Sequence, residues 1–317
     1  MVTQSGKVYE YLTEEFEPLL SKGYMVIPNV VSNVDLHKEN ILKDISIHVP
    51  RNVDTRLIQG YGSGQWESTW KCRFETLPVW NRLFNTESLI SSFDGITFVP
   101  RQQLSSLGQE LNIHGEPTWM HRDQNICNTN FADTIQGFVS LSNANDESYS
   151  TVFFEPRENE TAEDMIYEFH QQFSVMTTRS GRKVSKRIQF DDSKNDDDYH
   201  PFDEAQLEWW RQHSQFVKPN LKKGDMLLWL SSMPHAGATI PNPIVNDSTE
   251  DRLGIFVSML PKAFANADVL RDRRELAKTG ATSTHNVIRP RIFKAPVTFE
   301  AKYTDPMIEK WRTKLIG

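Results

Sequence analysis

The chain has 317 residues, 38% apolar and 24% charged, an ordinary composition for a globular protein with one large core or two small ones. Its 35 basic and 42 acidic side chains leave a formal net charge of −7, which argues against a general nucleic-acid binder. Two cysteines, Cys72 and Cys127, exclude a disulfide framework or a structural zinc cluster, and no run approaches the ~18 apolar residues of a membrane span.

With no secretion or lipidation signal at either end, a soluble cytoplasmic protein is expected, and a nuclear one is not excluded. Val8, Leu12, Phe16, Leu19 and Leu20 recur at helical spacing and predict a helix over 8–21, stopped by Gly23. "YMVIPNVV" then reads as a strand and "LHKENILKDISIHV" as a helix over 36–49. From residue 95 the pattern changes to short β-rich runs between turn residues: "GITFVP", "TIQGFVSLS", "STVFFEP", "DMLLWLS" and "RLGIFVSMLP". At least five strands between 95 and 261, without strand–helix alternation, predict a mainly β sandwich or barrel with flanking helices.

Residues 158–217 interrupt that pattern with helical stretches near "AEDMIYEFHQQF" and "DEAQLEWWRQHSQF". The segment is too long for a simple connection and is expected to form a lid or wall, docked through Phe169, Phe173, Trp209 and Trp210. The acidic run between, "DDSKNDDDYH", reads as a solvated loop and the mobile tip of that lid. Residues 262–317 are expected to be mostly helical, with solvated basic patches in "RDRRELAK" and "RPRIFKAP". The whole chain is thus taken as one domain, 1–317, with a helical insertion over 158–217 and a helical extension over 262–317.

Within "PTWMHRDQN", His121 and Asp123 stand two apart, so a strand turns both to one face. An imidazole and a carboxylate on one face are two potential ligands of one metal, although the pair alone is common. A third arrives in "KKGDMLLWLSSMPHAGA", where the chain leaves an apolar strand at Pro234 and presents His235, followed by small residues that permit close backbone approach. Two histidines and one carboxylate form a facial set that leaves iron positions open for O₂ and a bidentate 2-oxo acid, whereas structural zinc takes four protein ligands. The far carboxylate of such an acid needs a cation, and Arg252 heads the next strand, 17 residues after His235. A guanidinium offers it two parallel donors; the competing reading is an ion pair with Glu250 or Asp251.

The ordered series "SFDGITFVP", "WMHRDQN", "TIQGFVSLSNA", "GDMLLWLSSMPHAG" and "RLGIFVSMLPK" resembles the phytanoyl-CoA dioxygenase-like branch of the Fe(II)/2-oxoglutarate oxygenases, and with "LLSKGYMVIPNVVS" it spans most of residues 16–262. The tail "AKTGATSTHNVIRPRIF" resembles a Thr-x-His segment of uncharacterised members. The resemblance implies a double-stranded β-helix, a jelly-roll or cupin-like barrel with the metal at its mouth. It implies Fe(II) on His121, Asp123 and His235, 2-oxoglutarate on Arg252, and Gln136 as a further cofactor contact, with Trp229 packing the barrel wall. It also implies an oxidoreductase, a hydroxylase that consumes O₂ and a small-molecule or lipid-like substrate and releases succinate and CO₂. Neither a membrane nor a nucleic acid is expected as partner, and the oligomeric state stays open. Two motifs depart from the branch. Gly254 stands where an Arg-x-Ser pair is common, and "EPRENE" replaces a "GSH" segment near the substrate entrance. A jelly-roll protein that binds without turnover, a zinc hydrolase and a purely structural barrel are the alternatives.

Overall fold

The computed structural model describes residues 12–124, 133–145, 148–173, 175–177, 183–186, 199–239, 243, 245, 249–296 and 299–317. Residues 8–11 of the expected first helix lie outside the described residues; in the rest a 3₁₀ turn at Glu14–Phe16 leads into α1 (Glu17–Ser21), with Pro18 in its first turn. Gly23 ends it at φ +83, in the left-handed region. β1 (Tyr24–Ile27) stops before Pro28, which cannot donate to a ladder, and α2 (Val34–His48) matches the expected second helix. α3 (Glu67–Glu75) and α4 (Leu77–Phe84) fall in a stretch for which the sequence suggested no element. Their burial explains them: Trp70, Cys72, Trp80, Leu83 and Phe84 all point into the core.

Two short strands follow, β2 (Leu89–Ser91) and β3 (Ile96–Val99), then α5 (Leu104–Gly108). β4 (His121–Arg122), β5 (Ile135–Ser140) and β6 (Ser150–Pro156) come next. The interrupting segment holds α6 (Ala162–Phe173), β7 (Val175–Thr177), β8 (Lys183–Lys186), β9 (His200–Pro201), α7 (Glu204–His213) and β10 (Ser214–Val217). The barrel resumes with β11 (Met226–Leu230), β12 (His235–Ala238), β13 (Arg252–Val257) and β14 (Met259–Pro261). α8 (Ala267–Lys278), β15 (Thr282–Ser283), β16 (Ile292–Phe293) and α9 (Pro306–Ile316) complete the chain. The last stretch is therefore two helices around a β-hairpin rather than a continuous helical tail.

The strands form two five-stranded antiparallel sheets, ordered β1-β11-β5-β13-β3 and β10-β6-β12-β4-β9. The neighbours in each list are far apart in sequence, as in a jelly roll, and the fold is mainly β with flanking helices. Aromatic rings join the sheets face to face. Phe153 of β6 stacks on Tyr24 of β1 at 4.9 Å and meets Trp229 of β11 edge-on at 6.2 Å. No helix among the described residues is long and apolar enough to cross a membrane.

α6 and α7 pack against each other through Phe169 and Trp210, whose rings stack at 4.8 Å. Trp210 in turn stacks on Phe154 of β6 at 6.4 Å, so this pair of helices docks on the barrel as the aromatic content predicts. The segment is less purely helical than its sequence implies, since β10 extends the sheet beside β6 and β9 beside β4. Of the acidic run, only Tyr199 and His200 belong to the described residues.

One basic residue departs from the expectation of solvated charge. Arg273 of "RDRRELAK" is buried and donates to the carbonyls of Ile316 (2.9 Å), Leu315 (3.2 Å), Val287 (3.0 Å) and Ser91 (2.5 Å). It caps the C-terminal end of α9, whose last carbonyls lack helical partners, and ties the C-terminal hairpin to β2. Neighbouring Arg271 and Arg274 are exposed, as expected. Trp210→Ala should cost about 3–5 kcal/mol of stability in urea unfolding, because it opens a cavity between α6, α7 and β6. Hydrogen exchange should quicken in those helices before it does in β11.

Candidate functional site

Antiparallel register makes the site. β12 pairs with β4 so that His235 lies directly opposite His121, and the two rings are 4.5 Å apart. β4 ends after Arg122, and Asp123 is held by its N–H, which donates to Ser231 C=O at 2.8 Å just past β11. One ligand atom from each of His121, Asp123 and His235 lies within 4.8 Å of the others, a group able to hold a metal ion.

The ring orientations suit that use. His121 Nδ1 lies 3.0 Å from Trp119 O and His235 Nδ1 lies 2.8 Å from Met233 O. Each carbonyl can only accept, so each Nδ1 carries the proton and each Nε2 lone pair is left for a metal. The Nε2 atoms of His121 and His235 stand 3.7 and 3.3 Å from Asp123 Oδ2. Burial works to raise the Asp123 carboxyl, but the charge and hydrogen bonding of the histidines outweigh it and hold it well below the ordinary carboxylate range. Burial, then the neighbouring His121, pull His235 down towards its neutral form. A metal bound here would take the carboxylate ionised and each imidazole through Nε2, in place of the protons that link these groups in its absence. Gln136 Nε2 donates to Asp123 Oδ2 at 3.0 Å, which orients that carboxylate. This is the contact the structure gives Gln136.

The three residues face a cavity of about 910 Å³ between the sheets. Arg252 lies within it, buried, with Nη2 donating to Thr151 Oγ1 at 3.3 Å and the guanidinium over the rings of Phe138 (4.7 Å) and Tyr149 (5.1 Å). The competing ion pairs are not made. Asp251 accepts from the backbone N–H of Arg101, and Glu250 binds Asn143 and Lys223. Arg252 has no carboxylate partner among the described residues, and its buried Nε has no hydrogen-bond partner. Burial lowers its pKa to about 10, so it remains charged at neutral pH. A buried cation without a counter-ion is costly and marks a place for an anion.

Gly254 has a structural cause. A Cβ there would stand 2.2 Å from the Phe138 ring and 2.4 Å from Val139 O, so the ring beneath Arg252 occupies the serine's place. Thr97 lies directly across the ladder from Gly254, lines the same cavity, and has a buried hydroxyl without a partner. Thr97 and Thr151 are residues the sequence reading missed. Thr97 is the single polar residue of β3 and reaches the cavity by its register with β13, whereas Thr151 of β6 meets Arg252 from the facing sheet.

Two more side chains reach the metal ligands from outside the core strands. His285, at the end of the tail's Thr-x-His segment, places Nδ1 3.9 Å from Asp123 Oδ2. Tyr199, from the interrupting segment, lies 4.9 Å from the His121 ring, with Trp119 stacked on that ring at 5.2 Å. Among the described residues, none of α6 or α7 lines the cavity, and Tyr199 is the lining residue of that segment. Trp229 packs the wall beside His235 at 5.5 Å and also borders the cavity. Cys72 is buried and free, whereas Cys127 and most of "TIPNPIVNDSTE" lie outside the described residues.

The sequence matches no protein-family model and no curated protein. Solved structures do match. The putative oxidoreductase from Salmonella typhimurium LT2 aligns at TM-score 0.59 and 11% identity over 96% of this chain and 83% of its own. GlcNAc Inducible Gene 2 (GIG2, DUF1479) from Candida albicans aligns at TM-score 0.54 and 12% identity over 85% of this chain and 68% of its own. At such identity these likenesses show a shared fold and nothing further. EctD from S. alaskensis, solved with 2-oxoglutarate and 5-hydroxyectoine, aligns at TM-score 0.43 and 10% identity over 82% of each chain, too distant to carry an argument.

Asp94 on the cavity wall supplies a pH test. Burial pushes its carboxyl up to about 7, against the hydrogen bond from Gly95 N–H at 2.8 Å. The folded state thus favours the neutral acid. That contribution is complete below the unfolded value near 4 and is lost as pH rises through about 7. Asp94→Asn should therefore match the wild-type stability at pH ~4 and exceed it by roughly 1–3 kcal/mol above pH ~7, read by urea unfolding of metal-free protein. A stability difference that does not grow with pH would contradict this reading.

Proposed function

We propose that the chain is an Fe(II)/2-oxoglutarate-dependent dioxygenase of the phytanoyl-CoA dioxygenase-like branch, hydroxylating a small-molecule or lipid-like substrate. The observation that carries this reading is the pairing of a two-histidine, one-carboxylate cluster with a buried, counter-ion-free arginine in one cavity. The donor set fits Fe(II): two neutral Nε2 atoms and an ionised carboxylate, with open space on the cavity side. The orphaned Nε of Arg252 fits the far carboxylate of 2-oxoglutarate.

His121, Asp123 and His235 would hold the iron, and Arg252 the far carboxylate. Thr97 and Thr151 offer hydroxyls beside it, in place of the serine missing at Gly254. With 2-oxoglutarate and O₂, the metal supplies C–H hydroxylation, one oxygen atom entering the product and the other the succinate formed as CO₂ leaves. The protein's own part is orientation and exclusion of water. Gln136 fixes the Asp123 carboxylate, and the Trp119 and Met233 carbonyls fix the imidazole planes. Trp119 and Tyr199, 40% and 52% exposed, wall the metal on its open side with apolar surface. The lid expected over 158–217 reduces, in this reading, to the wall that Tyr199 provides.

Asp123→Ala should abolish the absorbance that develops when Fe(II) and 2-oxoglutarate are added without oxygen. Unchanged absorbance and succinate release in that variant would refute the ligand assignment. Arg252→Lys should keep metal binding while weakening 2-oxoglutarate about 10–100-fold, since a lysine cannot give the parallel pair of donors. A barrel that binds without turnover would pass both binding tests yet release no succinate in a broad substrate screen.

A further inference from the structure

We propose that the substrate carries an anionic group, a carboxylate or phosphate monoester, held by Arg289 and Arg291 at the cavity wall furnished by the C-terminal hairpin. The inference rests on the reading of the cavity as the oxygenase site and names the class of molecule that would enter it.

The charge of the cavity opposes that of the chain. The protein carries a net −7, yet among the described residues four arginines and two carboxylates, Asp94 and Asp123, line this space. Three of these charges are already committed. Arg56 is paired with Asp54 at 2.7 Å and Glu110 at 2.8 Å, Arg252 serves the 2-oxo acid, and Asp123 serves the metal. Burial pushes Asp94 up to about 7, so its carboxyl is only about half ionised at neutral pH. Arg289 and Arg291 remain, with no ion-pair partner among the described residues. An acidic protein that concentrates unpaired guanidiniums on one concave wall draws anions to that wall.

The arginines stand on a built loop. Between β15 and β16 the Asn286 side chain accepts from the N–H groups of Ile288 (3.1 Å) and Arg289 (2.9 Å). Thr284 closes the loop twice: its Oγ1 accepts from Arg291 N–H at 3.1 Å and its own N–H donates to Arg291 C=O at 3.0 Å. The buried Arg273 grips Val287 C=O from beneath. Arg291 lies over the Phe293 ring at 5.5 Å, which restrains the guanidinium before any ligand arrives. The same loop delivers His285 to Asp123, so the anion site and the metal are fixed to one hairpin. Trp119 and Tyr199 face the metal with apolar surface, which suits a carbon skeleton between the reacting C–H bond and the charged end.

The test uses four probes with one alkyl chain: hexanoate, hexyl phosphate, hexanol and hexylamine. Each is titrated calorimetrically into the full chain loaded with Fe(II) and 2-oxoglutarate under argon, so that Arg252 is occupied. At least one anion should bind about tenfold or more tighter than hexanol and hexylamine, and comparison of the two anions identifies the headgroup. The Arg289→Gln/Arg291→Gln double variant should lose that about tenfold preference while its affinity for hexanol and its melting temperature hold. Arg289→Lys/Arg291→Lys should restore part of it. Equal binding of hexanol, undiminished anion binding in the double variant, or no anion binding at all overturns the proposal. Should loading itself fail, the oxygenase reading has failed, and the same titration on metal-free Arg252→Ala protein still reads the outer arginines alone.

Discussion

The structure depends on one cross-strand pairing. His235 and His121 face each other because β12 and β4 run antiparallel in a single register, and a slip by one residue would turn both imidazoles away from the cavity. That register is over-determined. β12 is also paired to β6 over four residues, from His235 opposite Phe153 to Ala238 opposite Ser150, and β9 holds the far side of β4. The small residues after His235 belong to the same constraint. A Cβ on Gly237 would stand 2.6 Å from the Tyr149 ring, which itself lies beneath Arg252. The candidate metal ligands and Arg252 are thus referenced to one packed layer of aromatic rings rather than to separate loops.

Burial of charge follows from that arrangement. Among the described residues Arg73, Arg122, Arg273 and Arg312 are also buried, but each donates to at least one backbone carbonyl. Arg252 differs in reaching only a threonine hydroxyl and two ring faces. In the other four the desolvation cost is met at least in part by the backbone, and that contrast is what makes Arg252 the candidate for a bound anion.

The sequence exposed those parts of the site whose chemistry is local. His121 and Asp123 are two apart at a strand, His235 follows a strand end, and Arg252 heads a strand; each is legible from residue type and the two-residue period. The five barrel runs were equally legible, because alternating turn residues and apolar β-branched stretches need no knowledge of partners. Thr97, Thr151 and Asp94 were not, since what distinguishes each from an ordinary polar residue is a spatial neighbour: across the ladder for Thr97, on the facing sheet for Thr151, and around a buried turn for Asp94. Gly254 illustrates the limit from the other side. The missing serine was visible, but its cause, the Phe138 ring in that volume, is a packing fact. α3 escaped because it is short and largely buried, which blurs the amphipathic period, whereas α4 keeps a clear period but over only eight residues.

The C-terminal extension was read as packing around a completed barrel, and its geometry gives it a larger part. Ser283 pairs its N–H and hydroxyl with Phe93 (2.8 and 3.0 Å), the residue before Asp94, so the hairpin is anchored at the cavity's own wall. From that anchor it sends His285 to the metal carboxylate and two arginines to the cavity edge, while Arg273 couples it to the last turn of α9. A barrel that ended at β14 would keep the His121–Asp123–His235 cluster and Arg252 but would lack the cavity wall that the hairpin supplies. On the proposed reading, chemistry and selectivity would therefore be carried by different segments: register within the barrel would fix the first, and a hairpin outside it, free to vary without disturbing that register, would govern the second.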